Sequence, residues 1–277
     1  MPVVVVTDSS SRLSPDDLKQ YDIRQVPLHI LIDGIDLREG VDELPYDIHE
    51  LARTTTAGAT PVELAETYSQ ALKDSDGDGV VAVHISAPLS STFSSAVALA
   101  REIGPSVRVV NSRSVAMGVG FVALEAARVA ATGADLNTVE EAARSAVTRG
   151  HVFLVVHRLD NLRRSGRIRT TASWLGTALS LKPLLCLDVD GRLILDQRIR
   201  TVSKAHAAMV DRVAEVVGDR AAAIAVQHVD NHDAADAIGA ALTQRLPQIE
   251  SLTVADMGAV LAIHVGGGAV GVAVSIH

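Results

Sequence analysis

The chain has 277 residues, of which 48% are hydrophobic, 21% charged and 3% aromatic, with a formal net charge of -8 at pH 7. That length supports two ordinary domains whose cores are built from Ala, Val, Leu and Ile. The acidic balance argues against a nucleic-acid partner, because affinity for phosphates comes from clustered Lys and Arg.

The first eight residues, Met1-Pro2-Val3-Val4-Val5-Val6-Thr7-Asp8, lack the charged start and cleavage site of a signal peptide and read as a strand. Short apolar runs at 3–6, 80–85 and 107–110 alternate with helical periodicity at 61–72 and 94–103, the rhythm of a doubly wound parallel sheet. Between them, a run at 26–32 leads into Asp33-Gly34, a strong hairpin dipeptide, and a return strand at 35–38. Helices are expected at 115–132 and 136–149. The apolar stretch at 114–133 carries Glu125 and Arg128, which makes it a poor membrane span, so a cytoplasmic protein without a transmembrane segment is expected.

From residue 151 the spacing changes. Strands are expected at 152–157, 183–188, 193–198, 222–227, 252–255, 260–265 and 270–276, with two helices interposed. The expected fold is α/β with two domains. One is a parallel, doubly wound N-terminal domain over 1–150, and the other a mixed or antiparallel α+β domain over 151–277. The hairpin near 26–38 is a candidate to pack on the second domain. The lone Cys186, within Leu184-Leu185-Cys186-Leu187, reads as a buried thiol rather than a nucleophile.

Polar clusters follow the apolar strands at Thr7-Asp8-Ser9-Ser10-Ser11, at Ser86 through Ser95 and at Asn111-Ser112. Loops at the carboxyl ends of parallel strands line the ligand crevice of open α/β sheets. Ser90 and Ser91 precede a helix, where capping is the default reading and an anion seat the sharper one. Thr54-Thr55-Thr56 leads to Thr60-Pro61, which suits a helix N-cap followed by the first helical residue. His264 sits between apolar neighbours and just before Gly266-Gly267-Gly268, which permit close backbone approach. Arg163-Arg164-Ser165-Gly166-Arg167-Ile168-Arg169 is a concentration of positive charge, read either as a solvated helix end or as an anion or partner contact. Asp74-Ser75-Asp76-Gly77-Asp78-Gly79 begins like a calcium loop but has Ile85 where a bidentate Glu is required, so it reads as an acidic turn. No phosphate-binding Gly-rich Lys loop, zinc spacing or hydrolase elbow occurs in the sequence.

Taken together, Val6-Thr7-Asp8-Ser9-Ser10, Leu162-Arg163-Arg164-Ser165-Gly166-Arg167-Ile168 and Leu181-Lys182-Pro183-Leu184-Leu185 with Asp190-Gly191 resemble the DegV family over the whole chain. The better-understood members are fatty-acid-binding subunits of bacterial fatty acid kinase. The resemblance implies a binding protein with no cofactor of its own, holding one long-chain fatty acid between its domains. A separate kinase subunit then phosphorylates the carboxylate.

Carried over by position, Thr56, Ser90, His264 and Arg167 are the expected carboxylate-binding residues, and Arg163, Arg164 and Arg169 are candidates for partner docking. This sequence departs from the family pattern at Ala57-Gly58-Ala59, Ser91, Ser165 and Gly267. Two other functions stand beside this reading: an acyl ester or thioester hydrolase using Ser90, His264 and Asp8, and a lipid-responsive regulatory protein.

Overall fold

A computed structural model describes residues 2–51, 53–168 and 181–277. It divides into two compact units, one of residues 1–45 and 53–149, the other of residues 46–52 and 150–277. The hairpin at 26–38 therefore groups with the first unit, while the short segment 46–52 groups with the second.

In the first unit the described strands β1 (Val4–Asp8), β2 (Arg24–Val26), β6 (Val80–His84) and β7 (Val107–Asn111) form a parallel sheet in the order β2-β1-β6-β7. All five residues of β1 and all five of β6 are buried, as expected of strands covered on both faces by crossover helices. Those helices are α1 (Pro15–Gln20), α2 (Pro61–Asp74), α3 (Thr92–Ile103), α4 (Met117–Ala130) and α5 (Leu136–Arg149). A 3₁₀ turn at Ser9–Ser11 follows β1. Helix α2 starts with a complete capping box. The Thr60 hydroxyl accepts the Glu63 N–H, the Glu63 carboxylate accepts the Thr60 N–H, and Pro61 fills the first helical position.

A separate three-stranded sheet in the order β4-β3-β5 joins β3 (His29–Ile32), β4 (Ile35–Arg38) and β5 (Thr55–Ala57). The β3–β4 turn places Asp33 and Gly34 at φ of 48° and 86°, the two left-handed positions that make a two-residue hairpin match strand twist. The expected single strand at 26–32 is in fact two strands in different sheets. Pro27 has no N–H to give to a ladder, and the next N–H, of Leu28, goes to the Ser9 hydroxyl at 3.0 Å instead of to a strand.

In the second unit β8 (Gly150–Val155), β9 (Leu184–Leu187), β10 (Leu193–Gln197), β11 (Ala222–His228), β12 (Ile249–Asp256) and β13 (Val270–Ile276) form a mixed sheet in the order β10-β9-β8-β13-β11-β12. All its neighbours are antiparallel except β11 and β12. Helices α6 (Asp160–Arg164), α7 (Val202–Val217), α8 (His232–Arg245) and α9 (Ala259–Val265) complete the described part. The core joins Phe153, Leu184, Met209, Ile224, Leu242 and Val272 in one apolar cluster.

The run 260–265, expected as a strand, is the helix α9. Five of its seven residues are buried, so no polar face reveals a period of 3.6, and a short wholly apolar run reads equally well as either element. Cys186 is half-buried rather than buried; burial and nearby Asp196 push its thiol up to about 11, so it stays protonated near neutral pH. Among the described residues, no helix is long and apolar enough to cross a membrane.

Candidate functional site

Each unit gathers candidate residues at the ends of its strands. In the first, β1 delivers Asp8, which is fully buried. One carboxylate oxygen accepts from the N–H and hydroxyl of Ser10; the other faces His84 Nδ1 and accepts the Ile85 N–H, both at 2.9 Å. His84 Nε2 is in turn 2.7 Å from the Tyr68 hydroxyl, so Asp8, His84 and Tyr68 form a buried polar chain linking β1, β6 and α2. Burial and the Asp8 carboxylate push the Tyr68 hydroxyl pKa up, so it remains a neutral donor.

The expected hydroxyl clusters meet at the start of α3. Ser90 Oγ accepts the Thr92 N–H at 3.2 Å and lies 2.9 Å from Thr92 Oγ1. The cap of α3 is thus supplied from Ser90, one residue before the N-cap position Ser91, whose own side chain makes no cap hydrogen bond. Thr92 Oγ1 also accepts the Ala59 N–H at 3.2 Å. A Cβ on Gly58 would lie 2.7 Å from Thr92 Oγ1 and 3.0 Å from Ser91 Oγ, so only glycine allows this approach. Gly58 therefore lets the segment after Thr56 lie against the start of α3. Thr56 is on β5, opposite Ile30 of β3, where the sequence suggested only a loop or cap.

In the second unit, Arg167 and His264 are brought together. Helix α6, which ends in Arg163 and Arg164, packs against α9, which carries His264. Burial first, and then the Arg167 guanidinium, hold the His264 pKa down to about 4, so the ring is neutral near pH 7 and offers one N–H. Arg167 also donates to the Ser165 carbonyl at 2.6 Å. Arg164 is exposed and bonds Asn161 Oδ1 at 2.9 Å, Arg163 is partly buried, and Arg169 lies outside the described residues.

Two of the glycines after α9 lie close against histidine rings. A Cβ on Gly267 would come within 3.2 Å of His49 Nε2, and one on Gly268, at φ 80°, within 2.5 Å of the His157 ring. Gly268 is fixed by hydrogen bonds with Val229 and Asn231. His157 itself is shifted down by burial and by Lys182, whose ammonium donates to the His157 carbonyl at 2.9 Å. His206 is shifted down by burial and then by His157. The second unit thus holds two groups of hydrogen-bond donors, Arg167 beside His264, and Lys182 and His206 beside His157.

Sequence reasoning did not single out His84, Tyr68, His157, His206 or His29. His84 and His157 had a signal, as polar residues at the ends of apolar runs; the rest acquire partners through tertiary contacts. The hydrolase reading needs Asp8 as the group that orients a catalytic histidine. Both Asp8 oxygens are already engaged with Ser10, His84 and Ile85, and the Ser90 hydroxyl is bonded to Thr92.

A family model described as "Uncharacterised protein, DegV family" matches residues 2–277. A DegV domain-containing protein of Mycobacterium tuberculosis is 62% identical over 276 residues, covering 100% of this chain and 98% of the relative. Among solved structures, a DegV family protein from Corynebacterium glutamicum is 33% identical with a TM-score of 0.88, covering 99% of this chain and 98% of its own. A DegV family protein from Thermus thermophilus, whose structure is described for fatty acid binding, is 30% identical with a TM-score of 0.93, covering 100% of both chains. Similarity that runs from end to end in sequence and in fold identifies this chain as a member of the DegV family.

Proposed function

We propose that this protein binds one long-chain fatty acid and offers its carboxylate to a separate kinase subunit, performing no phosphoryl transfer itself. The observation that carries the reading is the likeness to the Thermus thermophilus protein, which is described as binding fatty acid and matches this fold along both whole chains. In this reading Thr56 and Ser90 of the first unit, and His264 and Arg167 of the second, are the carboxylate's partners. Hydroxyls and a neutral imidazole donate hydrogen bonds, and the guanidinium supplies positive potential, so the anion is not left without compensation. Arg163, Arg164 and Arg169 are the proposed docking residues for the kinase subunit.

The energetics need no catalytic group. About fourteen methylenes at about 0.8 kcal/mol each give roughly 11 kcal/mol of gross burial, from which ordering and desolvation are subtracted.

The test is to purify the protein, denature it and identify the released small molecules by mass spectrometry, alongside a Ser90→Ala, His264→Ala double variant. One fatty acid per chain in the wild type, lost in a variant that keeps its fold, supports the reading; no lipid in either overturns it. Incubation of the loaded protein with ATP and magnesium alone should leave the carboxylate unmodified. Acyl phosphate formed without a partner would remove the need for a kinase subunit.

A further inference from the structure

His29 opens β3, the middle strand of the three-stranded sheet, and is only 4% exposed. Its Nδ1 is 2.7 Å from Asp36 Oδ1 on β4, and its Nε2 is 2.7 Å from Glu63 Oε2 on α2. An ionised carboxylate only accepts hydrogen bonds, so two ring nitrogens facing two carboxylates require the doubly protonated imidazolium. The same Glu63 oxygen accepts from the N–H and hydroxyl of Thr60.

Thr56 sits on the strand that pairs with His29's own strand, just before the helix start that His29 contacts. On one side β3 pairs with β5, setting His29 opposite Ala57 and Ile30 opposite Thr56. On the other side Thr60, four residues along the chain, is held by the Glu63 carboxylate that His29 also holds. The charged ring therefore ties the β3–β4 hairpin, on which β5 with Thr56 pairs, to the start of α2 just after that segment.

We infer that protonated His29 is a positioning residue for Thr56, so that the protein releases fatty acid more readily once His29 loses its proton. This inference rests on the reading of Thr56 as a carboxylate partner. Beyond Asp36 and Glu63, the charged groups near the ring are Arg38, opposite His29 in the β3–β4 ladder, and Asp42, which Arg38 engages at 3.0 Å. Burial opposes a charged ring, but the hydrogen bonds to Glu63 and Asp36 outweigh it and raise the His29 pKa above the ordinary 6.5. The clamp is accordingly complete below about pH 6.5 and is lost as pH rises through the raised value.

The experiment follows backbone amide exchange at residues 55–57 in the ligand-free protein, and oleate dissociation in the loaded protein, from pH 6 to 9. It uses the wild type, His29→Gln, and Asp36→Asn, whose side chain is 52% exposed and whose loss leaves the core untouched. At pH 6, His29→Gln should speed both processes about tenfold, the scale of a lost charge-assisted hydrogen bond, with the gap from wild type closing towards pH 9. Asp36→Asn should move the wild-type pH midpoint downward. Unchanged exchange at 55–57 in His29→Gln, or a pH profile of release that is the same in all three proteins, overturns the inference. If the wild type holds no oleate, the fatty-acid reading fails, and the positioning role is decided by the amide exchange alone.

Discussion

His29 in the first unit sits between two carboxylates, whereas His264 in the second shares its surroundings with a guanidinium and apolar side chains. The same contrast extends through the two interiors. The first unit buries Asp8, Ser10, Ser11, His84, Ser86 and Thr92 without measurable exposure, whereas the second unit's core cluster is apolar and its described buried polar residues are Gln227, His228 and Ser275. A polar interior must satisfy every donor and acceptor, so its geometry is exacting and its losses are large. An apolar interior tolerates repacking but is sensitive to lost volume. The first unit thus fixes the Ser9, Ser10 and Ser90 hydroxyls through hydrogen bonds, whereas the second holds its described core together by apolar packing.

The largest test of this contrast is Asp8→Ala. It strips the acceptor from the Ser10 N–H and hydroxyl, the His84 ring and the Ile85 N–H in a fully buried setting, and should destabilise the first unit by about 3–5 kcal/mol. Hydrogen exchange of peptides from β1 and β6 reads this directly, and protection equal to wild type would mean that the polar chain does not hold the unit together.

Met209→Ala, in the apolar core, should cost about 3 kcal/mol through lost transfer energy and a cavity. The loss should appear in peptides from α7 and β11. An effect felt equally in both units would break the comparison.

The smallest expected effect is one of pH. His151, His157, His206 and His264 are all shifted down, burial being the first cause in each, so below their ordinary 6.5 the unfolded chain binds more protons than the folded second unit. Stability there should fall as pH drops from 6.5 towards 4, with about 1–2 kcal/mol from His264 after allowance for its partial exposure. His264→Gln should flatten part of that slope in urea titrations read at peptides of α9. Over pH 5 to 6.5 the His29 clamp is intact, so the segment 55–57 should keep its protection while α9 loses some. Parallel losses in both would show that the opposed shifts of His29 and His264 do not govern the response.

Local chemistry announced several elements before any fold was known. Thr60-Pro61 with Glu63 three residues on could only start a helix efficiently, and Asp33-Gly34 supplies the two left-handed residues of a tight hairpin. The apolar runs that open β1 and β6 signalled strands covered on both faces, and Ser75 to Gly79 is a turn where a calcium loop half-matched. These signals are carried by neighbours along the chain, within a few residues, which is why sequence alone determined them.

Tertiary structure decided the rest. Whether the run around His264 is helix or strand depended on what surrounds it, since burial on nearly every side erases the periodicity that tells the two apart. The strand pairing of Thr56 follows from β3, some 26 residues earlier, and the glycine needed at 58 from a loop more than thirty residues later pressing on the segment. The charge of His29 depends on carboxylates 7 and 34 residues away, and the neutrality of His264 on its burial and then on an arginine far back in the chain. Propensity and pattern are local properties; a side chain's protonation and partners are set by whatever folding brings within a few ångströms of it.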